Sequence, residues 1–506
     1  MRKQIVCLLM ACALLTAILP ALSEESPQKA KSFILAGFVG DDTQQDMNNN
    51  LFFQRMEEKT GISFEFRQFT DYAAWTAEKA RLFAGDELPD ALFRAELNTQ
   101  ETQAYYERGK LIDLSPLLQE NAPNLYALLE QNPAWREAIT LPGGAIASLP
   151  AINPLRAQNA MWINKTWLER LKLEIPTDTA SLRAVLDAFK TKDPNQNGQA
   201  DEVPLTFLGP WDLKFLAHAF GLIANDYNMY ADADGAAQFM PATFRYREFI
   251  AWISELYNAG LLDKNGFTTA DALRKVTDEK SAVTYGMFFG PGPTTFLPSA
   301  HGAEYVVLPP LQYEGTQVYR NFLGPVARGT FAITSACKDP AALLAWVDYL
   351  YSEEGGKLAL LGQEGSEYAF NENGTWRWLP APEELTNVIE TATLGAGDAY
   401  PMLSPVDFQL KFEDEKTVQL IRSLAELNQQ ASLPFPLTTL TSEQQQTVAP
   451  MQMEIGRFVD ESLARFVLGE TPLTDKSWQD YLLKLEELGL SSFVAFWQQA
   501  LDGQAR

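Results

Sequence analysis

The chain has 506 residues, with 40 Lys and Arg against 65 Asp and Glu, 46% hydrophobic residues, two histidines and three cysteines. That length supplies a well-buried core and, at roughly 150 residues per domain, room for two large lobes or three smaller modules. A formal charge of −25 argues against nucleic acid as a partner, because holding phosphates by counterion release needs clustered Lys and Arg.

Residues 1–23 read as a secretory signal. Arg2 and Lys3 begin it, Ile5 to Leu19 is an apolar run, and Pro20-Ala21-Leu22-Ser23 offers small residues for cleavage after Ser23. The run, about 15 residues long, falls short of the roughly 20 that span a bilayer. Cys12 lies inside the run and so forms no lipoprotein box. Once Cys7 and Cys12 leave with the signal, Cys337 alone remains, which excludes an intrachain disulfide. The expected product is an acidic, monomeric protein outside the cytoplasm.

After a polar linker, Ser32 to Val39 reads as a buried strand and Leu51 to Thr60 as a helix closed by Gly61. Ile62, Phe64 and Phe66 alternate as a half-buried strand, Trp75 to Phe83 returns to helical spacing, and Asp90 to Phe93 is a third strand. This β-α-β-α-β order predicts an α/β lobe with a parallel sheet, whose ligands lie beyond the carboxyl ends of the strands. The loops there are Gly40 to Asp42 and Arg94 to Glu96, which makes Asp42 and Arg94 candidate ligand contacts.

The Pro-punctuated stretch from Leu149 to Leu155 marks either an interlobe crossing or an ordinary surface loop. Beyond it come a strand (Ala160 to Ile163), a helix (Lys165 to Leu171), a second helix from the Thr177/Thr179 caps to Lys190, and the strand Val203 to Phe207. Ala217 to Leu222 and Phe244 to Leu262 are further helix. Val306 to Leu308 and Gly329 to Thr334 are strands flanking a loop with Asn321, Phe322, Gly324 and Pro325, and Asn321 is another candidate contact. Pro340 to Tyr351 is a strongly patterned helix, and from Glu413 the chain is nearly all helical, most clearly over Val448 to Leu468 and Trp478 to Leu488. The expected partition is a first lobe over 24–150, a second over 151–302, a return to the first over 303–336, and a helical region over 337–506 packing mainly on the second.

Asp193-Pro194-Asn195-Gln196-Asn197-Gly198-Gln199-Ala200-Asp201-Glu202 places side-chain oxygens at relative positions 1, 3, 5, 9 and 10 with Gly at position 6. Alternate oxygens on a tightly turning loop point inward, the carbonyl of Gln199 adds a ligand, and hard Ca²⁺ takes such an oxygen cage. The pattern departs from the EF-hand at position 12, which is Pro204, so Glu202 must close the cage. The bland alternative is an Asn-Gly turn with solvated acids, but five oxygens in register exceed what a turn requires. Joining a helix to a strand, the loop is expected to be structural.

Catalytic constellations are poor. His218 and His301 are far apart in the chain, and His218 sits on an apolar helical stretch. A Ser-His-Asp triad and a His/Cys zinc site lack the residues they need. With 65 acids some carboxylate pair is inevitable, which empties that signal of meaning. Aromatics beside Gly or Pro are more informative. Trp211 in Gly209-Pro210-Trp211-Asp212, Phe288-Phe289 before Gly290-Pro291, Tyr400 before Pro401, and Trp376 and Trp378 after Asn373-Gly374 all read as loop residues, whereas Trp252, Trp346 and Trp497 fall at helical core positions. Aromatic faces matched to sugar C–H faces, with carboxylates for hydroxyls, hold a carbohydrate. Trp211, Asp212, Phe288, Phe289 and Tyr400 are therefore candidate ligand residues.

From about residue 33 to its end the chain resembles extracellular solute-binding proteins of family 1, the substrate receptors of ABC importers, in the subgroup that includes oligosaccharide receptors. The resemblance is carried by Glu57-Glu58-Lys59-Thr60-Gly61-Ile62, Gly85-Asp86-Glu87-Leu88-Pro89-Asp90, Met161-Trp162-Ile163-Asn164 with Trp167-Leu168, and the oxygen-rich loop. Leu256 to Leu261, Asp348 to Gly355, Phe466 to Glu470 and Leu488 to Leu490 extend it; their order along one chain is specific where each piece alone is weak. It implies a two-lobed periplasmic-binding-protein type II fold of the Venus-flytrap kind, no enzymatic activity, an oligosaccharide or glycoside as ligand, and ABC permease subunits as partners. It also implies Ca²⁺ ligand roles for Asp193, Asn195, Asn197, Gln199, Asp201 and Glu202. Unlike many relatives, the signal carries no lipidated Cys at its end, which favours a free periplasmic or secreted form. A secreted carbohydrate-active enzyme, or the same receptor fold used for peptides or as a sensor partner, remain the alternatives.

Overall fold

The computed structural model describes residues 31–504 apart from 42, 157, 268–282, 321–323, 396, 434 and 436–439. The signal sequence, Asp42 and Asn321 lie outside the described residues. No helix among those described is long and apolar enough to cross a membrane.

In chain order the strands up to Ile333 are β1 (Lys31–Phe38), β2 (Ile62–Phe69), β3 (Ala91–Phe93), β4 (Leu149–Ile152), β5 (Ala160–Asn164), β6 (Val203–Leu205), the hairpin β7 (Met229–Ala231) and β8 (Ala237–Phe239), β9 (Tyr285–Gly290), β10 (Tyr305–Val307), β11 (Tyr319–Arg320) and β12 (Val326–Ile333). Nine of them build two main sheets, of order β2-β1-β3-β12-β4 and β10-β5-β9-β6. In the first, β1 runs parallel to β2 and β3, while β12 is antiparallel to β3 and β4.

Local chemistry explains the first lobe's start. The helix Leu51–Thr60 begins where the Asn50 side chain accepts the Phe52 N–H at 2.8 Å, and it ends at Gly61, whose φ of 69° places it in the left-handed region that glycine adopts without steric cost. Its buried face of Phe52, Phe53 and Met56 meets the sheet, and Trp346 stacks on Phe53 with centroids 6.0 Å apart.

The last contact bears on the expected partition. The helix Pro340–Asp348 buries Leu343, Leu344, Trp346 and Val347 in the first lobe's core, and the Tyr351 hydroxyl donates to Pro150 O at 2.6 Å. Packing on the second lobe begins with the helix Glu415–Gln429, whose Leu424 and Leu427 belong to one buried cluster with Trp162 and Phe288, and continues through Ser442–Val467, Asp475–Glu487 and Leu490–Gln504. Likewise Tyr305–Val307 pairs with β5 in the second sheet, so the return crossing follows that strand instead of starting at 303. The first crossing lies between β4 and β5.

Candidate ligand cleft and the oxygen-rich loop

Between the two sheets lies a cleft of about 750 Å³. The first lobe contributes Glu96 to Gln100, Trp135 and the strand stretch Val326 to Thr330; the second contributes Asn225 to Tyr227, Phe435 and Trp497. Local geometry in β12 shapes this wall. The register with β4 shifts between Ala327 and Phe331, and Gly329 there has φ 69°, with an added Cβ falling 1.9 Å from Leu97 O. Only glycine permits that approach, and the bulge leaves Arg328 exposed in the cleft.

The cleft is charged and aromatic together. Arg320 pairs with Asp226 at 2.8 Å and Arg156 with Asp398 at 3.4 Å. Burial pushes the Arg320 guanidinium down to about 9 and lowers that of Arg156. Half-buried Trp135 and Tyr227 come from opposite lobes, and Tyr227 is backed by Trp497 at 4.6 Å with rings 26° apart. The Trp497 indole N–H is shielded from solvent and finds no acceptor among the described residues. Planar guanidiniums and carboxylates fixed beside aromatic faces suit a neutral, hydroxyl-rich ligand.

Of the candidate ligand residues, none among the described residues lines the cleft. Phe288 and Phe289 lie inside β9, not in a loop, and are fully buried: Phe288 contacts Tyr305 at 4.9 Å and Phe289 stacks on Phe215 at 5.6 Å. A continuous apolar run in a strand covered on both faces leaves neither free for a ligand. Tyr400 is equally buried, packed on Phe93 at 5.3 Å in the first lobe's core. Asp212 is buried and accepts the Leu208 N–H at 2.8 Å, a structural role at the head of a 3₁₀ helix. Trp211 is 58% exposed, but its ring lies against Gly209 and does not line the cleft. Trp376 forms part of a short strand and is buried against Phe408. Arg94 ties its loop to Val39 O at 2.6 Å, while its neighbour Glu96 reaches the cleft. Sequence reading missed Arg156, Arg320, Arg328, Trp135, Tyr227 and Trp497. Only Gly329, inside the strand Val326–Ile333, carried a local signal, as the mark of a bulge.

Residues 193–202 lie away from the cleft, between the helix Thr179–Thr191 and β6. Asp193, Gln196 and Gly198 have φ of 49°, 60° and 75°, which winds the loop tightly. Asp193 accepts the N–H groups of Asn197 and Gly198, both at 3.2 Å, and Asp201 accepts the side-chain amides of Asn195 and Asn197 at 3.0 and 2.9 Å. One Glu202 oxygen is buried without a hydrogen-bond partner, and burial, reinforced by Asp201 and Asp193, raises its carboxyl above the usual range. No group of three or more His, Cys, Asp or Glu side chains among the described residues is placed to hold a metal. The loop draws instead on amide and carbonyl oxygens as well as carboxylates, and an orphaned, crowded carboxylate fits a cation.

Residues 41–357 match the bacterial extracellular solute-binding protein family. The chain belongs to that family. It is 29% identical over 491 residues to the fructooligosaccharide ABC transporter substrate-binding protein FusA of Streptococcus pneumoniae, covering 90% of this chain and 88% of that protein. The solved structure of S. pneumoniae FusA with kestose superposes with a TM-score of 0.75 at 25% identity, over 94% of this chain and 99% of that one. An EF-hand mutant of FusA with fructo-nystose gives the same TM-score at 24% identity and the same coverage. A solute-binding protein of Bifidobacterium longum subsp. infantis shares the fold, at TM-score 0.79 and 21% identity over 93% of this chain and 98% of that one. The α/β, two-lobed periplasmic-binding-protein architecture expected from the sequence is the one the solute-binding protein has.

Proposed function

We propose that this solute-binding protein is the extracytoplasmic receptor of a carbohydrate ABC importer. It captures an oligosaccharide or glycoside between its lobes and delivers it unaltered to membrane permease subunits. The observation that carries the reading is the cleft itself: Trp135 and Tyr227 line it from opposite lobes beside the Arg320–Asp226 and Arg156–Asp398 pairs. Only a closed form touches both faces of a ligand, so binding selects closure. The relationship to FusA supports a carbohydrate as the class of ligand. Export through a signal cleaved after Ser23, and action as a monomer, complete the reading.

A bound Ca²⁺ in the 193–202 loop is part of the same proposal. Asp193, Asn195, Asn197, Asp201, Glu202 and the Gln199 carbonyl would hold it and neutralise the buried Glu202 charge. The EF-hand mutant of FusA shows that a relative has been altered at such a motif.

Titration calorimetry against a sugar panel that includes kestose, with mass spectrometry of the recovered ligand, tests the function. Saturable binding with the sugar recovered intact is expected. Steady turnover of a bound sugar would establish an enzyme instead, and binding of peptides alone would move the ligand class.

A further inference from the structure

A second groove, of about 530 Å³, runs along the long helix Ser442–Val467 in the second lobe. It shares Asp226 and Tyr227 with the interlobe cleft, so the two spaces meet at one stretch of backbone. Its floor is one face of the helix: Gln445, Ala449, Gln452, Gly456 and Asp460 follow one another at helical spacing. Opposite them Lys214 donates to Asp460 at 3.1 Å and to Asn228 at 3.3 Å.

Two features point to a ligand. Gln445 and Gln452 each carry a side-chain oxygen that is shielded from solvent and accepts no hydrogen bond among the described residues, which is costly unless a donor arrives. Gly456, in the middle of a 26-residue helix, has a backbone any residue adopts and nothing within 4 Å of an added Cβ. A mid-helix glycine costs roughly 0.5–1 kcal/mol against alanine with no local compensation here. Its absent side chain keeps the groove open.

We infer that this groove is an outer carbohydrate subsite, continuous with the cleft past Asp226 and Tyr227, which lets the receptor hold a longer oligosaccharide than the cleft alone accepts. The amides of Gln445 and Gln452 and the Lys214–Asp460 pair meet the hydroxyls of the units that emerge, and exposed Met453 offers them an apolar face. The inference rests on the carbohydrate reading of the cleft.

Calorimetry with kestose and its chain-lengthened fructooligosaccharide homologues, and with manno-oligosaccharides of graded length, tests it on the wild-type protein, Gly456→Phe and Gln452→Ala. Wild type should bind the longer members about tenfold more tightly than the shortest it accepts, the worth of one to two hydrogen bonds. Gly456→Phe should erase that preference and Gln452→Ala reduce it, with affinity for the shortest member kept within twofold and a melting midpoint no lower than that of wild type. Affinity independent of chain length, or a length preference intact in Gly456→Phe, overturns the subsite while leaving the receptor reading in place. Wild type that binds no sugar of either series overturns both.

Discussion

Gln100 Nε2 donates to the Tyr227 hydroxyl at 3.2 Å, joining the helix Thr99–Glu107 of the first lobe to the aromatic wall of the second across the cleft. Because the bond exists only when the lobes are close, it favours the closed form before any ligand enters. Tyr227→Phe keeps the ring on Trp497 and removes the acceptor. A net hydrogen bond of about 0.5–1.5 kcal/mol predicts ligand binding two- to tenfold weaker. Small-angle scattering should show a larger ligand-free radius of gyration in the variant, and unchanged scattering with unchanged affinity would leave the bond without a role in closure.

Gly329→Ala tests the bulge. The left-handed φ alone costs a non-glycine residue about 1–2 kcal/mol, and the Cβ meets a backbone carbonyl that no rotamer change relieves. A loss of about 3 kcal/mol or more in denaturant unfolding is expected, with weaker ligand binding where the protein still folds, because Arg328 moves with the strand.

For the 193–202 loop, thermal unfolding with Ca²⁺ and with excess chelator should give a lower midpoint in the metal-free protein. Glu202→Gln removes the buried, unpartnered charge. It should raise the metal-free midpoint and shrink the gap between the two conditions, whereas Asp193→Ala should abolish the gap. Equal midpoints in wild type would argue for a plain turn.

What the sequence disclosed and what it withheld follow one physical line. The helix Leu51–Thr60, its Gly61 cap and the three first strands are set by neighbours within a few residues, so spacing and capping chemistry revealed them. The cleft is assembled from distant segments: Tyr227 meets Trp497 only because the helix Leu490–Gln504 packs back against the second lobe, and Gln100 meets Tyr227 only when two lobes approach. Proximity to Gly or Pro misled for Phe288 and Phe289 because the strand runs up to Gly290 before the turn begins. The tight winding of residues 193–202 was legible because the Asp, Asn and Gly residues that shape it lie within ten positions of one another.

His218 supplies a pH dependence of stability. Burial, with Arg320 adding to it, pushes the folded imidazole down to about 3. The unfolded chain binds that proton near pH 6.5, so the unfolded state holds more protons between the two values and stability falls as pH drops through that window. The contribution approaches about 1.4 kcal/mol per pH unit for one proton. His218→Leu should make the stability profile shallower by that amount between about pH 6 and pH 4 and leave it unchanged above pH 7.5. An identical slope in the variant would mean that the histidine is protonated in the folded protein.

Three aromatic substitutions separate the cleft from the exposed surface. Trp135→Ala removes a half-buried ring from the first lobe's wall, and Tyr227→Ala removes its counterpart from the second together with the hydrogen bond to Gln100. Each stacking contact is worth about 0.5–1.5 kcal/mol beyond its area, so affinity should fall several-fold for Trp135→Ala and at least tenfold for Tyr227→Ala. Trp211→Ala deletes the more exposed and, by sequence, more attractive ring, yet that ring leans on Gly209 outside the cleft. Its affinity should match wild type within twofold. The reverse pattern, with Trp211 critical and Trp135 and Tyr227 dispensable, would place the ligand on another face of the protein.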